Sequence, residues 1–128
     1  MNEGVFMYLE TKNALSGAAQ KKAAFSKNNV GKYLLASAWA GIFVGFGIIL
    51  IMFIGSFGTA ANSHFTKMFM GISFGVALSL VIMAGSELFT GNNLIMTVGA
   101  LDKKITWIDA LRVWVLSYFG NFVGSLAF

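Results

Sequence analysis

The stretch GSELFTGNN, Gly85 to Asn93, lies inside a run of 34 residues, Met68 to Leu101, whose only charge is Glu87. As one straight helix that run would be about 51 Å long, far more than the roughly 30 Å of a bilayer's hydrocarbon core. Tilt does not absorb such an excess. The surplus coincides with two Gly, two Asn, a Ser, a Thr and a carboxylate, so the run is expected to be two helical pieces broken within the membrane. Helix ends at that depth are tolerated only when buried in protein or lining a water-filled path.

Working outward, YLLASAWAGIFVGFGIILIMFIGSF, Tyr33 to Phe57, is 25 residues of apolar, aromatic or small side chains, enough for a first span. A cleaved signal peptide is a poor fit, because this run is too long and follows a 32-residue polar lead. GTAANSHFTK, Gly58 to Lys67, reads as a short loop. After Leu101 the charged DKKITWIDALR reads as a connection ending at Arg112. The final run, VWVLSYFGNFVGSLAF, has 16 residues where a span needs about 20, so the sequence is expected to belong to a longer polypeptide. Two segments result: a cytoplasmic or interfacial lead over residues 1–32 and a transmembrane domain over residues 33–128.

Composition agrees with a membrane protein. Of 128 residues, 57% are hydrophobic, 15% aromatic and only 11% charged, with mean hydropathy +0.75, which excludes an ordinary soluble enzyme and a disordered chain. There is no cysteine, one histidine and five acidic residues, too few for a metal cluster or a nucleophilic triad. No metal, no cofactor, no nucleic-acid partner and no enzymatic activity are expected. The net charge of +4 is explained by orientation. Lys12, Lys21, Lys22, Lys27 and Lys32 precede the first span, Lys103, Lys104 and Arg112 follow the second, and only Lys67 lies between. The N-terminus and the second loop are therefore read as cytoplasmic. Asn2 to Ala24 is read either as an interfacial helix or as a plain cytoplasmic tail.

Each span carries a GxxxG: Gly41 with Gly45, Gly71 with Gly75, and Gly120 with Gly124. Such small faces let helix backbones approach closely in lipid, and predict a compact bundle or oligomer. Ser117 and Asn121 read as interhelical hydrogen-bond partners. Glu87 is costly inside a membrane and needs compensation. It serves either as a proton relay or cation ligand, or as an acceptor for backbone N–H groups freed at the break. Gly85 and Gly91 on either side favour the second reading.

GSELFTGN, Gly85 to Asn92, resembles the signature at the broken second helix of the formate/nitrite transporters, a family that includes hydrosulfide channels. ITWIDALRVWVLSYFGNFVG, Ile105 to Gly124, is similar to the start of that family's third helix, and the lead with Ala14 to Gln20 is similar to its N-terminal segment. The resemblance implies an all-α, aquaporin-like, six-helix inverted-repeat fold, of which this chain supplies the N-terminal segment and helices one to three. It further implies a homopentamer in the lipid bilayer, in a prokaryotic inner membrane, with one pore per protomer for a small monovalent anion such as formate, nitrite or hydrosulfide.

Residue by residue, the resemblance puts Leu88 and Leu78 at two apolar constrictions, with Phe74 and Phe89 as lining rings and the Thr90 hydroxyl facing the pore. Glu87, Gly85, Gly91 and Asn92 would organise the loop. The family's unit extends beyond this sequence and holds its pore histidine there; His64, in the first loop, is not that histidine. The alternative is a non-transporting integral membrane subunit or assembly anchor, with its glycine faces against partners.

Overall fold

A computed structural model describes residues 3–127 as five helices: α1 (Glu3–Asn28), α2 (Val30–Ala60), α3 (Thr66–Met83), α4 (Phe89–Leu101) and α5 (Trp107–Ala127). Asn2, the first residue of the expected interfacial helix, and Phe128, the last of the third run, lie outside the described residues. Two of the helices, α2 and α3, are long and apolar enough to cross a membrane. The interruption expected inside the second run is where α3 and α4 part.

Three helices end in the same way. Beyond α3, Gly85 has φ +61°, its N–H bonds the Ile82 carbonyl at 3.1 Å, and the Ser86 N–H reaches back to Val81 at 3.0 Å. This is a Schellman stop, whose left-handed residue is normally glycine because it lacks a Cβ. Asn62 and Lys103 fill the same position after α2 and α4, with φ of 52° and 57°. The amides of Gly85 and Ser86 are consequently used to finish α3.

α5 begins earlier than the charged connection suggested, at Trp107 rather than beyond Arg112. The Asp109 N–H donates to Thr106 Oγ1 (3.2 Å) and the Thr106 N–H donates to Asp109 Oδ2 (3.3 Å), a reciprocal cap that starts the helix ahead of its apolar run. The T-x-x-D spacing carrying it is legible in the sequence. With this extra turn and more, α5 has 21 residues.

α2 and α5 pack closely because both remove side chains at the seam. A Cβ on Gly41 would fall on the Asn121 backbone, one on Gly120 on Ser37, and one on Gly124 on the Ala38 carbonyl. Gly47 makes the same allowance for Ala77 of α3, and Gly99 of α4 for Ala19 of α1. Gly71 and Gly75 differ, since a Cβ on either would meet open space. The core holds Ala19, Ala23, Tyr33, Met96, Ala110 and Val113, so α1 is packed into the bundle by its alanines. α3 packs mainly on α2.

Candidate functional site at the interrupted helix

Glu87 occupies the gap between α3 and α4 and is buried, 7% exposed. Its Oε2 receives Lys22 Nζ from α1 at 2.6 Å, Asn92 Nδ2 from α4 at 3.0 Å and the Tyr33 hydroxyl from α2 at 3.1 Å. Asn92 Nδ2 also donates to the Tyr33 hydroxyl oxygen at 2.9 Å. Tyr33 and Asn92 are fully buried. The carboxylate is thus matched by one cation and two neutral donors, the condition under which a buried acidic group is tolerated.

The compensation differs from the backbone capture favoured by the flanking glycines. The loop amides go elsewhere: Glu87 N–H to the Ala36 carbonyl at 3.3 Å, and Phe89 N–H to Asn121 Oδ1 at 2.9 Å. Asn121, on α5, also donates through Nδ2 to the carbonyls of Ser37 (2.8 Å) and Glu87 (2.9 Å), tying α2, the loop and α4 together. That is the interhelical role expected of it. Ser117 donates within α5, to the Val113 carbonyl at 2.7 Å, and its side chain also reaches Tyr33 of α2. Trp114 Nε1 adds a bond to the Asn92 carbonyl at 3.3 Å.

Beside this network is a groove of about 330 Å³ into which Leu88, Phe89 and Thr90 converge with Tyr118, Asn121 and Ser125. Phe89 meets Tyr118 edge to face at 5.6 Å between ring centres. Leu88 caps α4 with extended backbone and no side-chain hydrogen bond, so the first-turn amides of α4 begin at the groove without partners in their own helix. Thr90 and Gly91 are exposed, and a Cβ on Gly91 would meet nothing. Leu78 and Phe74 are not brought into this groove; they lie along α3, 49% and 43% exposed, with the Phe74 ring beside Gly47 of α2. Sequence reasoning missed Lys22 and Tyr33, whose link to Glu87 spans 65 and 54 positions and leaves no local signal. Among the described residues no group of His, Cys, Asp or Glu comes together to hold a metal.

An all-helical membrane protein organised round an interrupted span, with buried polar groups locking the interruption, is the class these features define. Residues 9–128 match the family model described as Formate/nitrite transporter, and the chain belongs to that family. It is 38% identical over 120 residues to "Nitrite transporter NirC" of Salmonella typhimurium, covering 94% of this chain and 44% of that protein. It is 36% identical over 119 residues to "Probable formate transporter" of Methanothermobacter thermautotrophicus, covering 91% and 42%. A solved structure titled "FNT family ion channel" superposes with TM-score 0.82 at 35% identity, covering 93% of this chain and 47% of that one, so the two share a fold. The chain spans less than half the length of these relatives.

Proposed function

We propose that the complete polypeptide forms a pore for small monovalent anions of the formate, nitrite and hydrosulfide class. The carrying observation is the interrupted helix, which brings the first turn of α4, including Thr90, into one groove with the apolar side chains of Leu88 and Phe89. Amides at a helix N-terminus favour an anion, while apolar side chains at a constriction resist hydrated ions. In this reading Leu88 and Leu78 form two constrictions, Phe74 and Phe89 line them, and Glu87, Gly85, Gly91 and Asn92 hold the loop. A weak-acid anion is drawn in by electrostatics and crosses the apolar rings wholly or partly as its neutral acid. The printed names of the nitrite and formate relatives support this substrate class.

The reading extends to assembly and placement. Residues 33–128 form the first half of the transmembrane unit of a homopentamer in a prokaryotic inner membrane, with residues 1–32 and the second loop cytoplasmic. The excess of lysines before α2 and after α4 supports that orientation. The test is flux of formate, nitrite and hydrosulfide into proteoliposomes at two pH values. Saturable uptake that falls in Thr90→Ala and Leu88→Asp, with assembly intact, is the expected result. No flux from an assembled oligomer would favour a non-transporting subunit, and unchanged flux in both variants would move the pore elsewhere.

A further inference from the structure

A continuous groove follows the flank of the α2–α3 seam that faces away from Leu78. Its first part is a cavity of about 450 Å³, lined among others by Lys32, Ala36, Trp39, Phe43 and Ser86. Phe43 also lines a second cavity of about 440 Å³, with Gly47, Leu50, Val76 and Leu80. Lys32, Ala36, Trp39, Phe43, Gly47 and Leu50 are spaced three or four residues apart and so fall along one face of α2. On α3, Val76 and Leu80 stand about 160° round the helix from Leu78, which separates the groove from the proposed constriction.

The two parts differ in chemistry. Beyond Phe43 no polar side chain lines the groove, whereas the Lys32 part carries donors that the fold leaves unspent. Lys32 is exposed and takes part in none of the ion pairs among the described residues. Trp39 Nε1 and Ser86 Oγ donate to no acceptor among the described residues, unlike Trp114 Nε1, which is bound to the Asn92 carbonyl. The Glu87 N–H bonds the Ala36 carbonyl at 3.3 Å, which holds Ser86 about one turn of α2 from Lys32. No carboxylate lines the cavity, and the adjacent Glu87 is paired with Lys22 at 2.6 Å. An ammonium and a hydroxyl without an acid between them suit a phosphate ester.

Depth fits the rest of such a ligand. Lys32 to Phe43 covers about 17 Å along α2, close to one leaflet of a hydrocarbon core roughly 30 Å thick. Trp39 and Phe43 stack at 5.9 Å between ring centres and make an apolar wall over that length. We infer that the groove binds one anionic phospholipid, with its phosphate at Lys32 and Ser86, an ester carbonyl at the Trp39 indole N–H and an acyl chain laid toward Gly47. A headgroup bearing its own ammonium finds no carboxylate here to pair with, so the site favours a net negative lipid. The lysine-based orientation makes the leaflet the cytoplasmic one; the binding itself depends neither on that orientation nor on what the pore carries.

The experiment reconstitutes the complete polypeptide in mixtures of phosphatidylethanolamine and phosphatidylglycerol, with one or the other brominated on its acyl chains. Quenching of Trp39 fluorescence, taken as the difference from Trp39→Phe, reports which lipid occupies the groove. Phosphatidylglycerol should be preferred there about fivefold, the effect of one lysine at the membrane surface. Lys32→Gln should abolish the preference, Lys32→Arg should retain it, and Lys67→Gln, at the far end of α3, should leave it unchanged. Equal quenching by both lipids, or a preference that survives Lys32→Gln, overturns the site. Quenching by neither lipid also overturns it, and is the result if a second copy of the chain or the rest of the polypeptide covers the groove. Each of these failures leaves the transport reading standing, because no flux is measured.

Discussion

Lys22 and Glu87 illustrate how a residue's value here depends on its partner. Removing either charge leaves the other partly or fully buried without its counter-ion, which costs several kcal/mol, whereas removing both costs less. Lys22→Met and Glu87→Gln should each lower unfolding stability by about 2–4 kcal/mol, and the double variant should be less destabilised than the sum by roughly 2 kcal/mol. Equilibrium unfolding in mixed micelles measures this; strict additivity would mean that the 2.6 Å contact carries no coupling. Glu87 was legible in the sequence as a residue needing compensation. Its partners were not, because α1, α2 and α4 converge on it only in the folded chain.

Among the elements, the glycine pairs separate by what they face. Gly124→Ala would drive a methyl into the Ala38 carbonyl at the α2–α5 seam, and overpacking against backbone should cost at least about 1–3 kcal/mol. Gly75→Ala meets open space and should be neutral or gain up to about 1 kcal/mol from helix propensity in this part of the protein. Thermal unfolding of the two variants side by side distinguishes them. The GxxxG spacing reads identically in both cases, so only the packing tells which pair is a seam.

α1 is fastened in its N-terminal half by Lys12 and Asp102, 2.8 Å apart. The hydrogen bond from Lys12 holds the Asp102 carboxyl below the usual carboxylate range, and the same bond raises the Lys12 ammonium above its usual value. The contact's contribution is complete above the ordinary aspartate pKa of about 4 and is lost as pH falls through the lower folded value. On the alkaline side it is complete below the ordinary lysine pKa of about 10.4 and is lost as pH rises through the higher folded value. Spin labels at Thr11→Cys and Lys103→Cys should give one narrow distance near neutral pH and a broadened one only once the pH falls well below the ordinary aspartate value, through the lower folded one. A distribution unchanged on acidification would assign the docking of this part to other contacts.

For the molecule as a whole, orientation is the property most open to a direct test, because these 128 residues contain no cysteine to compete with an introduced one. Ala61→Cys, in the α2–α3 turn, should react with an impermeant maleimide added to intact cells. Lys21→Cys, on α1, should react only after permeabilisation. The reverse pattern would invert the topology read from the lysines. Equal labelling of both from one side would mean that α2 does not cross.

The sequence by itself determined the class, the first span and the break in the second: long uncharged runs need lipid, a run too long for the bilayer must break, and the break falls where Gly, Asn and a carboxylate interrupt the apolar pattern. These are properties of composition and length, and they act locally along the chain. The T-x-x-D cap that moves the start of α5 to Trp107 was also present, but its signal was masked by the charges around it. Tertiary structure alone decided that Glu87 is held by Lys22, Tyr33 and Asn92, that Asn121 closes the loop, and that Leu88 and Thr90 share a groove with Tyr118. Such contacts depend on where four helices meet, and no local spacing encodes a distance across a bundle.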